Sequence, residues 1–84
     1  MSAVPIEVVT VERVDRVPTQ KPDCTQFLVV AHGIVAPYPL VRYQTLNQWI
    51  ASLCERAKAT ERRLRVTWRE HRFGRELVYV EMAE

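Results

Sequence analysis

Glycine is scarce in this chain: Gly33 and Gly74 are the only two among 84 residues. Phosphate-cradling loops need several closely spaced glycines, so nucleotide binding of that kind is excluded. Cysteine is equally thin. Cys24 and Cys54 stand far apart, neither belongs to a CxxC pair, and His32 and His71 are isolated as well. No metal site, no cofactor and no disulfide are therefore expected. Apolar runs are short, well below the ~20 residues that a membrane span needs. Residues 1–5 carry neither the basic region nor the apolar stretch of a secretory signal, so a cytoplasmic location without a membrane partner is expected. No GxSxG or HExxH motif occurs, and no pair of acids has a spacing that marks an acid/base couple. Cys24 and His32 are separated by a strand, which is poor spacing for a nucleophile and its base. The chain is expected not to be an enzyme.

What the chain does have is an ordinary globular balance, 48% hydrophobic and 26% charged. Its length suits one domain spanning residues 1–84 with one modest core. The formal net charge is only +2, but the charge is unevenly placed. Between Arg56 and Arg75 stand eight basic residues (Arg56, Lys58, Arg62, Arg63, Arg65, Arg69, Arg72 and Arg75) against two acids, Glu61 and Glu70. Ten of the twelve basic residues of the chain are arginine, which pairs with phosphate through two N–H groups and stacks on flat rings. The plainer alternative is a solvated face that keeps the protein soluble.

One stretch, residues 45–60, has helical periodicity. Leu46, Trp49, Ile50, Leu53, Cys54 and Ala57 share one face at about 3.6 residues per turn. Asn47, Gln48, Ser52, Glu55, Arg56 and Lys58 take the other. Thr45 with Gln48 three places on forms a candidate capping box. Everything else reads as strand or turn. Residues 4–17 are rich in β-branched side chains, with a slip of the alternation at Val8–Val9 that predicts a bulge there. Pro18 to Cys24 is a loop, residues 27–31 form an apolar second strand, and Gly33 permits a sharp turn or bulge. Residues 36–39, with two prolines, predict an extended stiff segment before a short third strand over residues 41–44. Leu64, Val66 and Trp68 alternate with Arg65, Thr67 and Arg69, the signature of a half-buried strand. Residues 72–75 form a hairpin loop with Gly74 at a positive-φ position, and residues 77–80 form the closing strand.

The predicted order is β-β-β-α-β-β: three strands, a helix and a hairpin, mainly β with one helix. In that order, in the bend of the first strand and in the hairpin after the helix, residues 6–82 resemble the OB-fold, a five-stranded Greek-key barrel. The chain is most similar to the small OB-fold single-stranded DNA-binding proteins of phages and mobile elements. A β-grasp sheet, with residues 6–17 and 27–34 as a hairpin, is the alternative. The resemblance implies a binding groove over strands two and three, flanked by the loops between strands one and two and between strands four and five. That mapping puts Lys21 on the first loop and His71, Arg72, Phe73 and Arg75 on the second, with Arg42, Tyr43, Arg65 and Arg69 supplied by strand faces. Phe73 at the hairpin tip either stacks on a base or folds back to cap the barrel. Arg72 and Arg75 are phosphate contacts or an ordinary charged turn. Arg65 and Arg69 either face nucleic acid or pair across the hairpin with Glu76 and Glu81. Tyr43 works equally as a core edge or a stacking platform, whereas Trp49 and Trp68 are expected in the core.

Two functions follow as expectations. The first is non-catalytic, largely sequence-independent binding of single-stranded nucleic acid, DNA ahead of RNA, by an Arg-rich groove with aromatic stacking. The second is a small adaptor or inhibitor whose basic face meets an acidic protein or whose strand edges pair, a homodimer included.

Overall fold

The computed structural model describes residues 6–19, 25–72 and 74–83. Its elements run β1 (Ile6–Pro18), β2 (Thr25–Gly33), β3 (Leu40–Thr45), α1 (Gln48–Ala59), β4 (Arg63–His71) and β5 (Gly74–Met82). The strands close into a barrel in the order β1-β2-β3-β5-β4, compatible with an OB-like fold. The closing contact is the parallel pair Gln44↔Glu76 between β3 and β5. A β-grasp sheet is thereby ruled out, since β3 is a full member of the wall, paired with β2 from Phe27↔Thr45 to His32↔Leu40.

The length and bend of β1 make closure feasible. Its first half pairs with β4, from Ile6↔Thr67 to Thr10↔Arg63, and its second with β2, from Val9↔Gly33 to Pro18↔Thr25. The bulge lies between Val11 and Arg13, not at Val8–Val9. The cause is visible in the side-chain phase. Glu7, Val9 and Val11 point inward and Val14 does so next, so Glu12 is the extra residue that keeps the apolar set on one face. Val8, opposite Arg65, belongs to the outer set. A second register shift between Thr67 and Trp68 makes Val78 the extra residue in β5, so Leu77 and Val80 both face the core.

Residues 36–39 form the end of a tight turn instead of the extended segment expected. Gly33 N–H donates to Pro39 O at 3.0 Å and Tyr38 N–H to Val35 O at 2.8 Å. Tyr38 adopts φ 57°, and the Ala36–Pro37 bond is cis. Gly33 suits the close approach, because a Cβ there would sit 3.2 Å from Pro39 Cδ, tighter than ordinary contact. Gly74 has the positive φ expected of it, 131°.

The helix begins later than its sequence signals imply. Asn47 caps it, with Oδ1 accepting from Trp49 N–H at 2.9 Å and Ile50 N–H at 3.4 Å. Thr45 is already committed to β3 and buried, its Oγ1 accepting Asn47 N–H at 3.0 Å. The buried helix residues are Ile50, Ala51, Cys54 and Ala57, with Leu53 half-buried beside them. They complete a core in which Val9, Val29, Tyr43, Leu64, Val66 and Trp68 point inward from the strands. Leu46 and Trp49 are not part of it: Trp49 is 85% exposed. The barrel covers only the helix face centred on Cys54, which takes in Ile50 and Ala51 of the first turn and leaves Trp49 outside its edge. At the other end Glu61 takes φ 54° and Arg62 N–H bonds Ala57 O at 2.9 Å, an αL-type stop built without glycine.

Candidate nucleic-acid interface

The outer face of β2 and β3 follows directly from strand register. His32, Val30, Leu28 and Gln26 point out from β2, and Leu40, Arg42 and Gln44 from β3. Across three strands the rows are Arg13–Val30–Arg42 and Asp15–Leu28–Gln44. Val30 is buried to 8% although it faces outward, and it lies between two arginines whose aliphatic stems are suited to cover it. Arg13 Nε pairs with Asp15 Oδ2 at 2.7 Å. Arg42 is exposed and makes no ion pair among the described residues. Beyond it, His32, Tyr38, Leu40 and Glu12 surround a shallow depression, with the Tyr38 ring 60% exposed.

The outer face of β4 and β5 is different. Arg65 Nη1 meets Glu81 Oε1 at 2.8 Å, and Arg69 binds Glu76 Oε1 through both Nε and Nη2. These are cross-strand partners in register. Each pair is exposed enough to contribute about 0–1 kcal/mol to stability. Their consequence is electrostatic: the two arginines already have counter-charges, so pairing across the hairpin is the alternative that the fold adopts.

Tyr43 is not a surface platform. It is 2% exposed, and its hydroxyl donates to Glu7 Oε2 at 2.8 Å. Burial first, and then the Glu7 carboxylate, push the phenol well above its ordinary range, while nearby Arg75 acts in the other direction. Inward alternation from Val41 onward made this outcome unavoidable once β3 paired with β2. Arg75 is likewise withdrawn from the hairpin rim: it is half-buried, and its guanidinium carbon lies 4.2 Å from the centre of the Trp68 ring. Trp68 is in the core as expected, 8% exposed, and its Nε1–H has no hydrogen-bond acceptor among the described residues. Arg72 is exposed at the hairpin. Lys21 and Phe73, and with them Cys24, lie outside the described residues.

The structure brings out a second surface that helical periodicity concealed. Trp49, Leu53 and Arg56 of α1 and Val78 and Tyr79 of β5 line a groove of about 330 Å³. Trp49 and Tyr79 are 85% and 58% exposed. Strict alternation would put Tyr79 on the same face as Leu77, and only the extra residue Val78 turns it outward. Arg56, Lys58, Arg62 and Arg63, around the helix C-terminus, are exposed and form no ion pair among the described residues. Cys54 has the opposite character. It is completely buried, and desolvation pushes its thiol up to about 12, which makes it an inert core residue.

Among the described residues no three His, Cys, Asp or Glu side chains converge as a metal site, and no helix is long and apolar enough to cross a membrane. No family model, no curated protein and no solved structure was found to match the chain.

Proposed function

We propose that this chain binds single-stranded nucleic acid, DNA in preference to RNA, without catalysis and largely independently of sequence. The observation that carries the reading is Arg42. It is an exposed guanidinium with no ion pair among the described residues, central on the outer β2–β3 face of a closed five-stranded barrel. Arg13 flanks it on one side, and the Tyr38 ring and His32 extend the same face. A cation for the strand's backbone and an open ring for its bases are the two parts such binding needs. By the resemblance to OB-folds, Lys21, Arg72 and Phe73 belong to the loops that flank this face. Likeness in element order to the small single-stranded DNA-binding barrels of phages and mobile elements supports the same conclusion, and a cytoplasmic location goes with it.

Titration of fluorescent oligo-dT at several salt concentrations tests it. With about four phosphates contacted, log K falls with log salt at a slope near −3. Replacing the Tyr38 ring costs about 1–3 kcal/mol of binding. Absence of binding at low salt with micromolar protein ends the proposal.

A second reading, docking of a protein partner as a small adaptor or inhibitor, is supported by the Trp49–Tyr79 groove. Trp, Tyr and Arg are the residues that concentrate binding energy at protein interfaces, and the groove presents one of each. Recovery of one stoichiometric protein from nuclease-treated host extract, lost on Trp49→Ala, favours this reading over the first.

A further inference from the structure

The barrel end where the start of β1, the β2–β3 connection and the start of β5 meet holds a cavity of about 500 Å³ that opens to solvent beside the exposed Val35. Its walls are apolar, from residues such as Val9, Val35, Pro39 and Val41, and just two lining side chains are charged, Glu7 and Arg75. No residue of α1 lines it. The two charges do not form an ion pair with each other. Glu7 accepts the Tyr43 hydroxyl on Oε2, and Arg75 lies over Trp68. Trp68, one guanidinium layer from the cavity, keeps a buried Nε1–H without an acceptor among the described residues. Arg75 thus links the cavity to the Trp68 ring, which makes Trp68 a reporter of what occupies the cavity.

We propose that this cavity receives one flat base of a bound strand, guanine in preference to the other bases; the inference rests on the nucleic-acid reading above and deepens it. The lining contributes one negative and one positive side chain, so it suits a neutral ligand that offers donors and acceptors side by side. Guanine is such a ligand. Its O6 and N7 accept from an arginine fork, the commonest specific contact to that base, and its N1–H and amino group donate to a carboxylate. Adenine carries an amino donor where guanine has O6, and so turns a donor toward Arg75. Thymine has no amino group to offer Glu7. The contact with Trp68 fixes the plane of the Arg75 guanidinium, and the valine and proline walls of the cavity pack against the base.

The chain has two tryptophans, so Trp49→Phe leaves Trp68 as the sole emitter. In that background, guanosine 5′-monophosphate is expected to change Trp68 emission saturably, and the adenine, cytosine and uracil monophosphates to do so much more weakly. Arg75→Lys and Glu7→Gln, which keep side-chain size, are each expected to weaken the guanine response about tenfold while thermal melts show them folded. An oligo-dT carrying one internal guanine is expected to bind about tenfold tighter than oligo-dT alone. Equal responses to all four monophosphates, or a guanine response that survives both substitutions, overturns the inference. Salt-dependent oligo-dT binding that gains nothing from guanine overturns the pocket and leaves the strand-binding reading standing. A guanine response without any oligonucleotide binding overturns the strand reading and, with it, the role of the cavity in holding one base of a strand.

Discussion

Two walls of the barrel carry arginine on their outer faces. On β4–β5, Arg65 and Arg69 are each held by a glutamate directly across the hairpin. On β2–β3, Arg42 looks onto Val30 and has no ion pair among the described residues, with an exposed tyrosine and a histidine farther along the same face. The inner faces are alike in burial, with Phe27, Val29, Ala31 and Tyr43 of β2–β3 packed inside as well. Leu64, Val66 and Trp68 of β4 and Leu77 and Val80 of β5 are all buried, so the β4–β5 hairpin supplies much of the core. The walls therefore differ on the outside: one has its arginines paired with glutamates, and the other presents a guanidinium with no ion pair among the described residues. Counting arginines along the chain points to the β4–β5 segment; the register moves the available charge to β3 and to the helix end.

The contrast can be tested at decreasing scale. Leu64→Ala, at a fully buried position inside the β4–β5 wall, is expected to cost about 2–5 kcal/mol in urea unfolding. Val78→Ala, on the exposed side of the same wall, is expected to stay within about 0.5 kcal/mol. Comparable losses at both would mean that the division between inside and outside is misplaced. On binding, Arg42→Glu should weaken oligo-dT about tenfold at low salt, whereas Arg69→Ala should change it by no more than about twofold. If the two variants lose alike, the walls are not distinct. The double change Glu76→Gln and Glu81→Gln removes the counter-charges from Arg65 and Arg69. It should steepen the salt slope of oligonucleotide binding by about one to two, and an unchanged slope would show that those arginines cannot reach the strand.

Alkaline pH probes the shared interior. The Cys54 thiol is raised from its ordinary 9.0 to about 12, so the folded state holds this proton more tightly than the unfolded chain does. Tyr43 is shifted in the same direction, by burial first and then by Glu7. Their contribution to stability is complete below about pH 9 and is lost as pH climbs through the raised values. Thermal melts as a function of pH should show a decline that begins near pH 9 and is postponed in Cys54→Ala. A decline that starts at the same pH in both proteins would exclude the thiol. The smallest effect belongs to Trp49→Ala. At 85% exposure it should alter stability by no more than about 0.5 kcal/mol, despite the size of the side chain removed.

Much of the fold was legible because its elements obey local rules. Strict alternation in Leu64–Val66–Trp68 identified the inner face of β4, and the apolar spacing of Ile50, Cys54 and Ala57 identified the helix and its packed side. The bulge in β1 was anticipated but misplaced. A run of β-branched residues reads equally well in either phase until a partner strand fixes which set is inside. Trp49 lies on the apolar stripe yet outside the core for a related reason. Periodicity gives the apolar face but not which arc around the helix the barrel covers, and that arc is shifted toward Ala51 and away from Trp49. The candidate site was less legible, because availability of a side chain depends on what lies across the strand. Arg65 and Arg69 are quenched by residues many positions away, and Tyr43 and Arg75 are turned toward Glu7 and Trp68 at one end of the barrel.

The order of strands and helix, the inner face of β4 and the abundance of guanidinium groups were determined by the chain itself, since propensity, periodicity and charge are properties of neighbours along the backbone. Which arginines are neutralised, which aromatic rings face solvent, and the meeting of Glu7, Tyr43, Arg75 and Trp68 were decided only when β1 bent and the barrel closed. Those relations join residues distant in sequence, and their energies depend on separations of a few ångströms that no local pattern encodes.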